Sequence, residues 1–252
     1  MSNTLICIPA RYGSTRFPGK PLVSILGKPM LWHVWQACVN ALNETQVVIA
    51  TDHSDIASTM RSYGAKVVLT DPDLPNGTQR CFAAWQTLAK DHPNISYVIN
   101  VQGDEPALDS EHLTRFIREG LALGTPIFTP RVAMENEPDM WLSPHVVKVV
   151  SDLQNRALYF SRSPIPAQTK RPHPSLWYRH LGIYGFHTEI IPTLLDVPAT
   201  PLSESEQLEQ LTWLEMGMSI GLVTLPPSGP AVDVPEDVGK VEKWLQMNLF
   251  NQ

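Results

Sequence analysis

No stretch of this 252-residue chain approaches the roughly 20 consecutive apolar residues that a helical membrane span requires, so no membrane partner is expected. Charged residues are sparse at 17%, while the hydrophobic share of 43% is ordinary for a globular protein. Cysteine is scarce as well. Cys7, Cys38 and Cys81 are odd in number and lack CxxC spacing, which predicts reduced, buried thiols and a cytoplasmic setting. The segment Met1 to Ile8 has neither a basic n-region nor a small-residue cleavage site, so export is not expected. GxGxxG is absent, which removes sequence support for a dinucleotide enzyme. Acid is missing from the first 43 residues, where Arg11, Arg16, Lys20 and Lys28 stand unopposed although the whole chain carries −6. Four cations on Gly- and Pro-containing loops suit a small polyanion. Nucleic acid is a poorer fit, because no long basic stripe follows.

What is present is an alternation of apolar runs and helix-period segments. Strands are expected at Thr4–Ile8, Gln46–Thr51, Lys66–Thr70 and Tyr97–Val101. The helices between them start at Met30, at Ser54 (capped by Ser54 and ending at Gly64), across Thr78–Lys90 and across Ser110–Leu123. This predicts one α/β domain over 1–252, with a doubly wound, mostly parallel sheet of Rossmann-like type. Beyond Thr125 the pattern loosens. Strands are expected at Ile127–Val132, Val146–Val150, Ala157–Phe160, Leu181–Phe186 and Ile220–Leu225, a Pro-rich loop at Pro164–Pro174, and helices across Glu204–Met216 and from Pro235. A mixed α+β sub-region over about 130–190 follows from this.

Two segments carry the chemistry. Ile8–Leu22 places glycines and cations directly after the first strand, at the carboxyl end of the sheet, where ligands bind in open α/β folds. It is not a Walker A loop, because five residues separate Gly13 from Gly19 and Pro21 follows the lysine. Val101-Gln102-Gly103-Asp104-Glu105-Pro106 ends the fourth strand at the same edge, and Asp104 is a hard oxygen ligand of the kind that shares Mg²⁺ with phosphates.

These segments resemble the 3-deoxy-manno-octulosonate (Kdo) cytidylyltransferases. The resemblance continues, in family order, through Ala50–Asp52, Asn76–Arg80, Val147–Val150, Ala157–Arg162, Arg179–Gly185, Leu208–Leu211 and Val232–Asp237. It implies transfer of CMP from CTP to the anomeric hydroxyl of Kdo, with in-line loss of pyrophosphate, for lipopolysaccharide biosynthesis. By the same resemblance Arg11, Ser14, Arg16 and Lys20 bind the nucleotide, and Asp104 and Asp233 ligate Mg²⁺, with Lys20, Asp104 and Asp233 catalytic. Thr78, Arg80, Gln102, Arg162, His180, Tyr184, Glu209 and Gln210 fall to the sugar. A homodimer formed through the 130–190 region is also implied, and the sequence adds Met134, Met140, Trp141 and Leu142, an apolar cluster in an expected loop that either marks an interface or belongs to the core.

Three positions depart from the family pattern. Gln79 stands where an acid usually precedes the arginine, Asn76 where a small residue is common, and Val234 where Ser or Thr would cap a helix opening at Pro235. Neutral Gln79 is expected to leave Arg80 freer for the sugar carboxylate, with the triphosphate loop elsewhere. The alternatives left open are a cytidylyltransferase for 8-amino-Kdo or another acidic sugar such as sialate, and a catalytically idle nucleotide-binding homologue.

Overall fold

In the computed structural model, which describes residues 3–13, 17–134, 137–167, 177–195, 197–227 and 229–249, the first apolar runs form a parallel sheet. Strand β1 (Thr4–Ala10) is buried along its whole length. It runs two residues further than expected, because the fixed φ of Pro9 is compatible with extended backbone. After the short antiparallel pair β2 (Ser24–Ile25) and β3 (Lys28–Pro29), helix α1 (Met30–Ala41) buries Met30, Leu31, Val34, Trp35, Cys38 and Ala41, the stripe set by its 3.6-residue period. Strand β4 (Val47–Thr51), helix α2 (Ser54–Ser62), strand β5 (Lys66–Leu69), helix α3 (Gly77–Leu88) and strand β6 (Tyr97–Asn100) follow. The strands lie in the order β5-β4-β1-β6, all parallel. β1 and β4 are continuous apolar runs because both of their faces are covered. These elements form one compact unit, Met1–Thr114 with Ser228–Gln252.

The second unit, Arg115–Pro227, starts within helix α4 (Ser110–Ala122). Its axis is strand β7 (Ile127–Ala133). Helix α5 (Pro138–Leu142) and strands β8 (Lys148–Ser151), β9 (Ala157–Ser161), β10 (Tyr178–His180) and β11 (Tyr184–His187) come next. Helices α6 (Ile191–Leu194), α7 (Pro201–Glu206) and α8 (Glu209–Glu215) precede strand β12 (Ile220–Leu225). β12 lies parallel to β7, and β10 and β11 lie antiparallel to it. β8 pairs antiparallel with both β10 and β9. The expected change to a mixed sheet is therefore present. Helix α9 (Asp237–Leu249) returns to the first unit. There Val232 and Val241 are buried with Ile25 and Met30. No helix among the described residues is long and apolar enough to cross a membrane.

Several boundaries differ from expectation for local reasons. His53, not Ser54, caps α2, through Nδ1 accepting from the Asp55 N–H at 3.2 Å. The strand expected at Leu181–Phe186 is broken where the Ile183 N–H bonds Leu181 O at 2.8 Å, a three-residue turn centred on Gly182. The helix expected across Glu204–Met216 is two helices, because Gln207 takes φ 53° and the Leu208 N–H closes on Ser203 O. Val234 caps nothing, since the last helix opens at Asp237, whose Oδ2 accepts the N–H groups of Asp233 and Val234. Met134 and Trp141 are not an exposed loop cluster. They are buried with Trp177, the two indoles stacked at 4.8 Å with Met140 against them, and only Leu142 remains exposed. Of the Pro-rich loop, residues 168–174 lie outside the described residues.

Phe128 shows how tightly the second unit is filled. A Cβ added at Gly185, its cross-strand partner on β11, or at Gly120 on α4 would fall 2.1 Å from its ring. Overpacking a core costs 1–3 kcal/mol, and more where nothing can move. Gly185→Ala is therefore expected to lose about 3 kcal/mol of unfolding free energy in urea titrations. Adding Phe128→Leu should restore part of it, because the two side chains compete for one space. Additive losses in the double variant would contradict this.

Candidate active site

At the carboxyl end of the first unit's sheet, the loops after β1, β5 and β6 and the segment before α9 enclose a cavity of about 290 Å³. Arg11, Lys20, Arg80, Gln102, Asp104 and Asp233 all line it. Lys20 is placed by the 3₁₀ turn Lys20–Leu22, entered through left-handed Gly19 (φ 71°) and stiffened by Pro21. Its Nζ donates to Asp104 Oδ2 and to Val232 O, each at 2.8 Å. The Val232 N–H in turn donates to Asp104 O at 3.0 Å, which fastens the segment carrying Asp233 to the turn carrying Asp104. Two aspartates remote in sequence thus reach one cavity, as the sequence predicts. Ser14 and Arg16 lie outside the described residues.

The donor set suits a hard divalent ion. Mg²⁺ is usually held by one or two carboxylates and otherwise by phosphate and water oxygens. Among the described residues no cluster of three or more His, Cys, Asp or Glu could hold a metal, so a two-carboxylate site completed by substrate is the form this cavity can offer.

Arg80 is not the free guanidinium expected beside Gln79. It is 2% exposed and donates to Asp52 Oδ2 at 3.1 Å, to Thr70 Oγ1 at 2.6 Å and to Asp71 O at 3.2 Å. Its acidic partner comes from the turn after β4, so the residue at 79 does not decide its charge balance. Nor is the triphosphate loop elsewhere, since Arg80 shares the cavity with Arg11 and Lys20. Asn76 has a structural reason to differ from a small residue: its Oδ1 accepts the Gln79 N–H at 2.8 Å and caps α3. Thr78 is buried and accepts from Asn100 Nδ2 at 3.1 Å, while Asn100 Oδ1 accepts from Gln102 at 3.2 Å. Thr78 thus supports Gln102 from below and is not among the residues lining the cavity.

The second unit gathers most of the other residues that the resemblance assigns to the sugar. The His180 and Tyr184 rings lie 5.4 Å apart, and Tyr184 meets Trp213 of α8 edge-on at 5.0 Å. Burial holds the His180 pKa down to about 3. It is therefore neutral, and any ligand it met would find a hydrogen-bonding group and not a charge. The Thr129 hydroxyl has carbonyls at 2.6 Å (Ile183) and 3.2 Å (Leu181) to take its one proton, so His180 Nε2, 2.9 Å away, is the donor to Thr129 Oγ1. Burial, and then Glu209, raise the Tyr184 pKa well above its ordinary value. Gln210 is 2% exposed, and its Nε2 has no hydrogen-bond partner among the described residues, an unmet donor of the kind a ligand satisfies. Arg162 is differently placed. Its guanidinium donates to the carbonyls of Glu206, Pro144 and Gln207, so part of it braces the break between α7 and α8.

Some polar groups escape sequence reasoning. Arg131 is buried among Thr224, Ser151 and Asn155 and lies over the Tyr178 ring. Lys148 is fully buried and donates to the carbonyls of Ser143, Val146 and Arg162, and burial lowers its pKa. A lone lysine inside the apolar run Val146–Val150 is the signal that could have found it.

Residues 5–220 match the family model described as Cytidylyltransferase. The 3-deoxy-manno-octulosonate cytidylyltransferase of Myxococcus xanthus is 40% identical over 243 residues, covering 96% of each chain. The mitochondrial enzyme of that name from Arabidopsis thaliana is 37% identical over 241 residues, 95% of this chain and 82% of its own. A solved CMP:2-keto-3-deoxy-manno-octonic acid synthetase complexed with CTP superposes with a TM-score of 0.88 at 31% identity, covering 97% of this chain and 99% of the other. A cytidylyltransferase from Leptospira borgpetersenii, at 17% identity and a TM-score of 0.54 over 92% and 78% of the two chains, shares the fold alone. Likeness of this extent over the full length leaves one conclusion: the chain belongs to the 3-deoxy-manno-octulosonate cytidylyltransferase family.

Proposed function

We propose that this protein is the enzyme that transfers CMP from CTP to the anomeric hydroxyl of Kdo and releases pyrophosphate. The observation that carries the reading is the meeting of Arg11, Lys20, Asp104 and Asp233 in one cavity at the carboxyl end of the first unit's sheet. Arg11 and Lys20 set positive charge against the triphosphate, the charge a phosphoryl transfer must have neutralised. Asp104 and Asp233 would hold Mg²⁺, which when bound polarises phosphate oxygens and offsets their charge. The amide of Gln102, held by Asn100, offers hydrogen bonds whose direction is fixed before any ligand arrives. Neutral His180, Tyr184 and the unmet donor of Gln210 supply the polar, mostly uncharged contacts that a polyhydroxy sugar takes.

A homodimer and a cytoplasmic location belong to the same proposal. The location draws on three cysteines that are free and buried. Sedimentation at micromolar concentration should give twice the chain mass of 28.1 kDa.

The test is pyrophosphate release from CTP and Mg²⁺ with a panel of Kdo, 8-amino-Kdo and N-acetylneuraminate. Release is expected with Kdo and should be lost in EDTA. Release with 8-amino-Kdo alone would reassign the sugar, and silence with all three would overturn the reading.

A further inference from the structure

The Lys20–Asp104 contact joins a residue proposed for the triphosphate to one proposed for the metal, and neither can serve its ligand fully while they hold each other. The ammonium sits 2.8 Å from Asp104 Oδ2, with its side chain 14% exposed and that of Asp104 36% exposed. Its second bond, to Val232 O, holds the residue next to Asp233. The backbone beneath Lys20 is fixed. Gly19 N–H bonds Tyr12 O, Lys20 N–H bonds Phe17 O, and Leu22 N–H bonds Gly19 O. With the turn held in this way, a swing of the four-carbon stem is enough to exchange partners.

The charges facing the cavity sharpen the point. Arg80 is already balanced by Asp52. Arg11 is exposed, while Lys20 is committed to Asp104. A divalent cation arriving alone would meet Asp104 already neutralised and an ammonium beside it, so among the described residues lining the cavity only Asp233 offers an unneutralised carboxylate. A triphosphate arriving alone would have to draw Lys20 from its carboxylate. When both arrive, the cost of opening the pair is met once, and each ligand finds its partner freed. Two ligands that share one opening cost bind with positive coupling, and the coupling is reciprocal.

We propose that the Lys20–Asp104 ion pair is an interlock that keeps the metal carboxylate covered until the triphosphate takes the ammonium, so that metal and nucleotide bind cooperatively. This rests on the assignment of Asp104 and Asp233 to the metal, and the experiment separates the two ideas. Mn²⁺, visible by electron paramagnetic resonance, is titrated without nucleotide into the wild-type protein and into the Lys20→Met, Lys20→Gln and Arg11→Met variants. Lys20→Met with Asp104→Asn completes the set, and far-UV circular dichroism confirms folding of each. Wild type is expected to bind weakly, and both Lys20 variants at least about tenfold more tightly, since a positive charge has left the carboxylate. Arg11→Met removes a cation from the same cavity without opening the pair, and should gain far less. Adding Asp104→Asn should abolish the gain. Equal gains from Lys20→Met and Arg11→Met would reduce the effect to general charge and sink the interlock, as would no gain in either Lys20 variant. If Asp104→Asn leaves Mn²⁺ affinity of the Lys20→Met protein unchanged, the metal assignment itself falls.

Discussion

Asp104→Asn and Asp233→Asn are each expected to reduce turnover by at least about a hundredfold, the scale on which removing one principal electrostatic stabiliser acts. Both residues line the cavity with Arg11 and Lys20, and the substitution keeps size and shape while removing the charge that would bind a divalent ion. Stability should change little, because the Asp104 side chain is 36% exposed and Asp233 is exposed. The two variants should differ in one respect. Asp104→Asn leaves the Lys20 ammonium without its anion, whereas Asp233→Asn leaves the ion pair intact. Because Lys20 still covers the one remaining carboxylate in Asp233→Asn, raising Mg²⁺ is expected to recover part of the Asp104→Asn loss and less of the Asp233→Asn loss. Steady-state pyrophosphate release over a range of Mg²⁺, with Tm measured alongside, checks both points. Wild-type turnover in EDTA, or an undiminished rate in either variant, would remove the metal from the reaction.

The parallel half of the fold was legible because its signals are local and strong. β1 and β4 are apolar runs bounded by polar turns, and α1 carries a full helical stripe, so strand and helix follow from burial on both faces or on one. The second unit was legible in outline only. Its breaks depend on single backbone choices, such as the left-handed Gln207 and the turn at Leu181–Ile183, which no hydrophobic period encodes. Trp141 reads as part of an apolar cluster in a loop until its stacking on Trp177 is seen, and that contact spans residues far apart in the chain.

The site divides in the same way. Cations after β1 and a carboxylate after β6 announce a polyanion site, because strand ends at one sheet edge face one cleft. Which cation meets which anion is not local information. Lys20 finds Asp104, and Arg80 finds Asp52. From sequence, Gln79 looked like the neighbour that sets the behaviour of Arg80. In a helix, adjacent side chains point in different directions, so the residue beside Arg80 in the chain need not be its partner in space.

The Arg80–Asp52 pair carries the second large effect, this time on stability. With side chains 3% and 15% exposed, it is shielded from the water that weakens surface pairs. Removing one member of a buried pair strands the other charge, which costs about 3–5 kcal/mol. Arg80→Met is therefore expected to lose about 3 kcal/mol of unfolding free energy, most of it from Asp52 left without its cation. Thr70 Oγ1 and Asp71 O lose their donor too. Asp52→Asn should cost less, because the one amide oxygen can still accept from Arg80, although the Tyr12 N–H, which now reaches Asp52 Oδ1 at 3.3 Å, then loses its acceptor. In the double variant the stranded charge is gone, so its loss should fall clearly below the sum of the single losses. Urea titrations of the four proteins give this coupling directly. Kinetics adds a second readout. Asp52 ties the backbone of the loop carrying Arg11 to the turn after β4, so loosening it should raise the KM for CTP before that for the sugar. Additive stability losses, or a KM change confined to the sugar, would show that Arg80 works through some other contact.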